Sequence, residues 1–443
     1  MHRLITTALV LVLAVAVSNS TGAEETELEA ATDTELPDDP DRQARGFTSR
    51  ESRTGFTTSK PIFGGPTSPE GQLEEADRVK EPAFRFPSID AAFEPWVAWK
   101  TRQNEENGLQ ISAHYSTLFQ GLSDALPGAE DTASGGVLRG TLQWTPVGRG
   151  TQNKGSLNIT LDHRHAFRDI APAGLAGQVG YIGLTGVFYG DTGFSVVNLN
   201  WQQGFNDGRS GVVAGRYDPN DYMNILGYVN PWSIFSNIAI NLDASVAFPD
   251  AGWGVAGGHW ITDQWYVLGG FNDANGAIAD DLEFFDGGAE FFKFGHVGWS
   301  PSKAERYFKN IHLLAWHVDE REDAGIDSAN GVAIAANWTF DDRWMPFARI
   351  GYSRGASPIY NESYTAGLIR KFMYRSDLIG LSANYGSPPD SSLRNQTTVE
   401  TFWRIQFAQN LAITPSLQLL LNPALNPDDD QVWVYGLRIR LTF

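Results

Sequence analysis

The stretch of sequence that decides the fold is the C-terminal segment Trp433–Phe443, which reads WVYGLRIRLTF. Apolar side chains occupy every second position of this segment, six in succession, and Arg438 and Arg440 lie between them. Alternation with a period of two predicts a β-strand with one apolar and one polar face. Because an arginine at the bilayer midplane costs about 2–4 kcal/mol, we expect the apolar face to contact lipid and both arginines to face a lumen. A strand of a soluble protein would explain neither the unbroken apolar run nor the terminal Phe443.

The same alternation recurs through the region that follows residue 108. The predicted strands are residues 109–120, 136–145, 156–165, 193–203, 209–217, 252–261, 264–272, 288–299, 310–318, 330–340, 344–353, 362–371, 377–386, 396–407, 411–421 and 432–443. Short connections alternate with long ones, as in barrels that have short periplasmic turns and long outer loops. The predicted fold is an all-β, sixteen-stranded antiparallel up-and-down transmembrane β-barrel. The pattern does not set the facing of strand eight, where Glu290 and Lys293 fall on opposite faces.

The composition argues against several other classes of protein. The chain of 443 residues has 33 Lys and Arg against 52 Asp and Glu, so its formal net charge is −19. A nucleic-acid partner is therefore not expected, since such proteins present a basic face. The absence of cysteine excludes a disulfide scaffold and a cysteine-ligated metal. A hydrophobic fraction of 42% is too high for a wholly disordered chain.

The first residues predict a targeting segment. A weakly positive start is followed by an apolar core, Leu4–Val17, and by small residues up to Ala23. This is the pattern of a secretory signal peptide covering residues 1–23, and a membrane anchor, the alternative, would need a longer apolar run.

Two further segments precede the predicted barrel. Residues 24–90 are acidic and rich in Pro, Ser and Thr, which predicts a disordered linker or periplasmic arm, with a tether to a periplasmic partner as the alternative. Residues 91–108 predict a short helix, and the barrel occupies residues 109–443. Because such a linker would contribute no core, removal of residues 24–85 should leave barrel assembly and conductance nearly unchanged.

The longest predicted connection, Asp218–Ala251, is the third outer loop and carries many apolar residues. Folding this loop into the lumen would bury its apolar surface and narrow the pore. An external cap or an oligomer contact is the alternative.

Several side chains are candidates for contact with a solute in the lumen. The alternation of inward and outward side chains along each strand predicts that these arginines and carboxylates face the lumen. The third loop adds an aromatic ring. The candidates are Arg139, Asp162, Arg164, Arg216, Asp218, Trp232, Glu400 and Arg404. Paired donors and acceptors together with aromatic faces suit the hydroxyl groups and C–H faces of a neutral sugar. The alternative for each charged residue is an ion pair of the lumen wall.

The sequence resembles the carbohydrate-selective porins of the OprB family. The resemblance is carried by three segments that follow the helix: Gly215–Tyr222, Gly298–Pro301 and Gln396–Arg438. The first of them reads GRYDPNDY and the last includes QTTVETFWRIQ, LAITPSLQ and WVYGLR. This resemblance covers about residues 93–443 and implies a sixteen-stranded barrel for the uptake of sugars.

We therefore expect a passive outer-membrane diffusion channel of a Gram-negative bacterium that prefers carbohydrates and uses no cofactor. Its expected partners are sugars in the lumen, outer-membrane lipid and lipopolysaccharide, and the barrel-assembly machinery, which would recognise the C-terminal strand ending in Phe443. A general, mildly cation-preferring porin is the main alternative. A structural outer-membrane tether and a barrel hydrolase are the others, although no nucleophile motif lies near a base. His163 and His165 could bind a metal, but two ligands alone are a weak signal, and no metal is predicted.

Overall fold

A computed structural model describes residues 63–278, 282, 285, 288–372 and 376–443. The predicted signal peptide, residues 1–23, and the first part of the predicted linker, residues 24–62, lie outside the described residues.

Sixteen antiparallel strands form one closed barrel, in which each strand pairs with its neighbours in sequence and β1 pairs with β16. The strands are β1 (Leu109–Leu122), β2 (Thr132–Val147), β3 (Gly155–Ala166), β4 (Gly193–Phe205), β5 (Ser210–Tyr217), β6 (Gly252–Trp260), β7 (Trp265–Asp273), β8 (Phe291–Trp299), β9 (Lys309–Val318), β10 (Ala329–Trp338), β11 (Trp344–Arg354), β12 (Glu362–Lys371), β13 (Leu378–Ser387), β14 (Gln396–Ala408), β15 (Leu411–Leu421) and β16 (Gln431–Thr442). Closure pairs the backbone of every strand on both sides, which a lipid environment requires. The predicted strand number and order are confirmed; the largest shift in a boundary is at β2, predicted to begin at 136 and observed from Thr132.

The inner and outer faces of the wall differ in polarity as predicted. In β16, Tyr435, Leu437 and Ile439 are exposed on the outside, whereas Arg438 and Arg440 are buried on the inside. The charged residues of other strands that the alternation predicts to face inward are also buried: Arg139, Asp162, Arg164, Arg216, Glu400 and Arg404. Arg349 of β11 is buried as well. The outside therefore presents an apolar surface suited to lipid, and the inside holds the ionised groups that lipid disfavours.

The facing of the eighth strand, which the sequence pattern left open, is set by the structure. Lys293 lies on the outer face of β8, and its Nζ is 2.7 Å from Oδ1 of Asp319, directly after β9. Glu290 precedes the strand, where its carboxylate accepts a hydrogen bond from the Asn275 amide. Only one of the two charged residues is thus a residue of the wall.

Two helices precede the barrel. Helix α1 spans Pro69–Asp77 and helix α2 spans Pro87–Asn107, so the predicted helix at 91–108 begins four residues earlier than expected. Its first residue is a proline, which suits a helix start because the missing N–H would have no partner there. Gly108 ends α2, as predicted, with a φ of 67° that favours glycine. In the described part of the chain, no helix has the length and hydropathy of a membrane span.

The prediction of a disordered linker is wrong for the described residues from 63 to 90. Residues 63–80, here called the lumenal segment, lie inside the barrel, and Ser68, Gln72 and Leu73 are at most 3% exposed. The Ser68 side chain caps α1 by accepting a hydrogen bond from the backbone N–H of Gly71. The segment is polar because its polar groups form hydrogen bonds and ion pairs with the lumen wall. A polar composition is equally compatible with a segment that is hydrated by water, so composition alone did not predict the docked position.

The lumenal segment crosses the barrel at the end that carries the short turns. Phe63 packs in an apolar cluster with residues of β5 to β9, on one side of the barrel. Glu70 forms an ion pair of 3.0 Å with Lys154, in the turn between β2 and β3. The backbone N–H of Lys80 donates to the Gln409 side chain, in the turn between β14 and β15. The segment therefore spans from one side of the lumen to the other.

Candidate pore interior

The third outer loop folds into the lumen, as predicted. It connects β5 to β6, and its apolar side chains Tyr222, Met223, Ile225, Leu226, Trp232, Ile234 and Phe235 are buried. Phe235 packs edge to face against Phe402 of β14, with ring centroids 4.8 Å apart. Removal of this apolar surface from water contributes about 25 cal/mol per Å², so the inward position is the stable one for such a loop.

Glu400 of β14 fixes the loop to the wall. Its two carboxylate oxygens accept hydrogen bonds from the backbone N–H groups of Ser236 and Asn237, at 2.6 and 3.0 Å. These N–H groups precede a single helical turn, α3 (Ile238–Asn241), whose start favours a negative charge. The structure thus places Glu400 as an anchor of the loop, and not in the solute position that the sequence predicts.

Two arginines of the wall hold the same loop by its carbonyl groups. Arg438 of β16 donates from Nη1 to the carbonyl oxygen of Ile234, at 2.6 Å. Arg349 of β11 donates from Nη2 to the carbonyl oxygen of Asn224, at 3.0 Å. Because these donors come from well-separated strands, the loop is tied across the lumen and divides its interior.

One side of the loop faces a cavity that we call the Arg139 chamber. Its polar lining comprises Thr67, Arg139, Arg164, Asp218, Asn220, Asp221, Asn224, Asn241, Asp243 and Arg349. The space between these groups is about 640 Å³, including space open to solvent. It therefore offers both signs of charge and several amides to a solute.

The basic side of this chamber is a preorganised cluster on β2 and β3. Arg139 donates to both oxygens of Asp162, from Nε at 2.6 Å and from Nη2 at 2.7 Å. Arg164 donates from Nη2 to the same carboxylate at 2.8 Å. Two guanidinium groups share one carboxylate, so the cluster keeps a positive excess and Asp162 serves to orient it.

The acidic side of the chamber comes from the root of the third loop. The Asp218 carboxylate accepts from the backbone N–H of Asn220, at 2.9 Å. Burial raises the pKa of Asp218, and burial together with the Asp218 carboxylate raises the pKa of Asp221 well above its usual range. The two carboxyl groups therefore hold a proton more readily than two separate aspartates would.

Trp232 lies in the wall of the chamber and is 1% exposed. The Arg139 guanidinium lies 4.2 Å from its ring centroid, and the Phe188 ring stacks on it with centroids 4.9 Å apart. Its ring contacts protein groups, so the structure places it as a support for Arg139 and not as a free face for a sugar ring.

Arg216 does not line the Arg139 chamber. Its Nε donates to the carbonyl oxygen of Val196 and its Nη2 donates to that of Ala277, both at 2.7 Å. The guanidinium thus joins β4 to the loop that follows β7. The sequence predicts both Arg216 and Asp218 as contacts of a solute, and the structure places only Asp218 in the lining of the chamber.

Arg404 faces a second cavity, on the other side of the loop, that we call the Lys80 chamber. Its polar lining includes Glu75, Arg78, Lys80, Asn230, Ser233, Lys371, Ser376 and Arg404, and it encloses about 740 Å³ including space open to solvent. Arg404 Nη2 lies 3.1 Å from Oε1 of Glu75. Some of the predicted site residues therefore line one of the two chambers, and the others bind the lining arginines or backbone groups of loops and strands.

Reasoning from the sequence missed several residues of the interior. Asp221, Asn224 and Asp243 line the Arg139 chamber from the third loop, and no regular pattern in this long loop predicts that they face the chamber. The second outer loop supplies Phe188, and the lumenal segment supplies Thr67. The last two come from segments whose patterns did not predict an inward position.

The histidine pair lies away from both chambers. His163 and His165 face outward on β3, their Nδ1 atoms are 3.3 Å apart, and His165 Nε2 is 3.0 Å from the Tyr115 hydroxyl. Among the described residues, no group of three or more His, Cys, Asp or Glu side chains could hold a metal ion.

The chain is similar to known porins. The model of the carbohydrate-selective porin, OprB family, matches residues 318–443. The chain is 22% identical over 261 residues to the porin AaxA of Chlamydia pneumoniae and 21% identical over 312 residues to that of Chlamydia felis. These matches cover 56% and 67% of this chain and 59% and 68% of the respective relatives, so the chain spans less than two thirds of the first relative.

The solved high-pH structure of Pseudomonas putida OprB has the same fold. It matches with a TM-score of 0.66 at 14% identity and covers 79% of this chain and 97% of its own. The family match at the C-terminal end and the porin fold together confirm the resemblance to the carbohydrate-selective porins of the OprB family.

Proposed function

We propose that this chain is a passive outer-membrane diffusion channel that prefers carbohydrates. The porin fold and the family match support a channel in place of an enzyme. The outward apolar face supports a position in lipid, in contact with outer-membrane lipid and lipopolysaccharide. In this orientation the short-turn end and the lumenal segment face the periplasm, and the long loops face outward.

The observation that carries the preference for sugars is the lining of the Arg139 chamber. It presents guanidinium donors from Arg139 and Arg164, carboxyl groups from Asp218 and Asp221, and the amide of Asn224 around one cavity. A neutral polyhydroxylated solute needs donors and acceptors together and gains little from a field of one sign. Each contact should contribute only on the order of 1 kcal/mol, so that the solute is released as readily as it binds.

A general, mildly cation-preferring porin is the second candidate. The formal charge of −19 on the chain favours cations over anions, although in the chamber the carboxyl groups of Asp218, Asp221 and Asp243 are matched in number by three guanidinium groups. Such a channel would pass small solutes without a binding step, so a sugar would not reduce its ion current.

The test is the block of ion current by sugars in planar bilayers, measured on the purified protein with a series of mono- and disaccharides. We expect concentration-dependent block, and we expect Arg164→Gln to weaken it several-fold. Arg164 suits this test because Asp162 keeps its bidentate partner Arg139 when Arg164 is changed.

The matched control is Arg216→Gln, which removes a buried guanidinium outside the chamber. We expect it to leave the sugar block unchanged. If no sugar in the series reduces the current, or if both variants weaken the block alike, the proposal of a sugar-preferring channel is wrong and the general porin is favoured.

A further inference from the structure

The Lys80 chamber has an excess of positive charge. Among the described residues that line it, the cations are Arg78, Lys80, Lys371 and Arg404, and the one carboxylate is Glu75. These residues come from the lumenal segment and from β12 and β14, so the cluster exists only because the segment docks in the lumen. The chain as a whole carries a formal charge of −19, so a local cationic excess departs from its general character.

The single carboxylate is already shared among several cations. Glu75 lies 3.1 Å from Arg404, 3.0 Å from Arg440 and 3.6 Å from Lys80, measured between the closest charged atoms. One negative charge thus serves three positive ones, those of Arg404, Arg440 and Lys80. Buried cations without a matching number of anions are costly, and a site of this kind gains free energy when an anion enters.

Two further observations indicate that cationic groups near the chamber lack hydrogen-bond acceptors or counter-charges. The Nε groups of Arg404 and Arg440 are buried and have no hydrogen-bond partner among the described atoms. Burial lowers the pKa of Lys80 to about 8, against the opposing attraction of Glu75. The ammonium group is therefore less stable here than in water, and an incoming anion would restore part of the lost stabilisation.

The cavity between these groups is open to solvent. It encloses about 740 Å³ including space open to solvent, and the Ser233 and Ser376 side chains add neutral polar groups to its lining. Guanidinium and ammonium donors that converge on one cavity are the arrangement that recognises the oxygens of carboxylate and phosphate groups.

We propose that the Lys80 chamber is a binding site for an oxyanion, the carboxylate or phosphate group of a solute. The anion lies between Lys80 of the lumenal segment and Lys371 of β12, within reach of Arg78 and Arg404. It can come from a free inorganic anion or from an acidic sugar, and the second source, which rests on the proposed function, would make the chamber a second station for sugar acids behind the Arg139 chamber.

Binding of inorganic phosphate to the full-length protein in detergent, at constant ionic strength, tests the site without requiring conduction. Calorimetry or phosphorus NMR line broadening gives the affinity. We expect saturable binding that Lys80→Met and Lys371→Met each weaken about tenfold and that Lys80→Arg retains. The matched control is Arg209→Gln, which removes an exposed cation of a short turn at the same end of the barrel and should change the affinity less than twofold.

Competition separates the two sources of the anion. Displacement of phosphate by glucuronate, but not by glucose, would assign the site to sugar acids as well as to inorganic anions. Displacement by neither would confine it to the inorganic anion. The proposal is overturned if native protein shows no saturable phosphate binding, if both lysine-to-methionine variants bind like the native protein, or if Arg209→Gln weakens binding equally. These binding measurements in detergent do not depend on conduction. They therefore test the oxyanion site even if no sugar blocks the ion current.

Discussion

The strand β16 and the lumenal segment are both built from mixed apolar and polar residues, but they obey different rules. In β16 every position faces either lipid or lumen, so the choice of side chain alternates regularly and Arg438 and Arg440 fall on one face. In residues 63–80 the contacted strands change along the segment, from Phe63 beside β5 to β9 to Glu75 beside β14 and β16. The wall is therefore specified by a repeated pattern, whereas the segment is specified by individual partners.

The largest expected effect comes from removing the partner on which the lumenal segment depends. Glu75→Gln leaves Arg404, Arg440 and Lys80 buried without their shared carboxylate, a change that costs about 3–5 kcal/mol when a buried pair is broken. We expect the segment to leave the lumen. Cleavage at Arg78 and Lys80 by trypsin added from the short-turn end should rise at least tenfold, and single-channel conductance should increase.

The matched control for this substitution is Asp77→Asn. Asp77 forms a 2.7 Å ion pair with Lys100 but is about a third exposed, so its pair should contribute at most about 1 kcal/mol. Equal trypsin sensitivity of the two variants would show that general charge, and not the buried cluster, holds the segment. These contacts also change the expectation for a truncation: removal of residues 24–85 would remove the docked lumenal segment, so we no longer expect the conductance to be unchanged.

The second effect tests the rule that governs the wall. Leu437 is 40% exposed on the outer face of β16, beside the inward Arg438. Leu437→Arg places a charge toward lipid and should destabilise the folded barrel by about 2–4 kcal/mol, measured by guanidinium unfolding in bilayers. Leu437→Met, which preserves the apolar face, should have little effect. A small effect of the arginine would mean that this face is not in lipid.

The contrast between the two regions explains how much of the molecule the sequence predicts. All sixteen strands and the inward parity of Arg139, Asp162, Arg164 and Arg404 follow from alternation, because the bilayer imposes one constraint on every strand. The inward third loop follows from its apolar content. No such shared constraint acts on residues 63–80, whose partners lie as far along the chain as Arg404 and Arg440.

The same reason limits prediction of the interior residues. Parity correctly places Glu400 and Arg216 inside, but it does not tell whether an inward group meets a solute or a backbone group of a folded loop. The structure shows that Glu400 binds the N–H groups of Ser236 and Asn237, and that Arg216 binds two carbonyl groups. Such partners are set by the path of the loops, and that path has no periodicity from which it could be inferred.

The third effect is a dependence of docking on pH. Burial alone would raise the pKa of Glu75, but Arg440, Lys80 and Arg404 outweigh burial and hold it well below its ordinary value of 4.5. The contribution of Glu75 is thus fully present above about pH 4.5 and is lost as the pH falls through the lower, docked-state pKa. Lys80 acts in a separate window: its docked pKa of about 8 lies below its ordinary value of 10.5, so docking weakens as the pH falls from about 10.5 to 8 and this contribution does not change further in acid.

We therefore expect the lumenal segment to be released in acid. Between the pKa of Glu75 in the free segment and its lower pKa in the docked segment, only the free segment binds a proton at this residue. Over that range, each unit by which the pH falls weakens docking by at most about 1.4 kcal/mol. Cleavage by pepsin, an acid-active protease, or hydrogen exchange of residues 63–80 in the acid range measures the release. Glu75→Gln should flatten the dependence, and an unchanged slope in that variant would attribute it to other carboxyl groups.

The smallest effect returns to the wall, at the one charged residue of β8. Lys293 faces outward and its side chain is half exposed, as is the nearby His317, while Asp319 bridges them at 2.7 and 3.1 Å. An exposed ion pair contributes about 0.2–1 kcal/mol, so Lys293→Gln should lower the free energy of unfolding by no more than that, and less at high salt. Guanidinium unfolding at two salt concentrations measures it. The pair lies at the end of the strands, beside the outer loops, where its charges keep much of their hydration. The free-energy cost of this outward charge is therefore small, unlike that of the Leu437→Arg charge at the middle of β16. A loss above about 2 kcal/mol would instead show that the pair is shielded from water by lipid or by another protein, since only a desolvated pair has that magnitude.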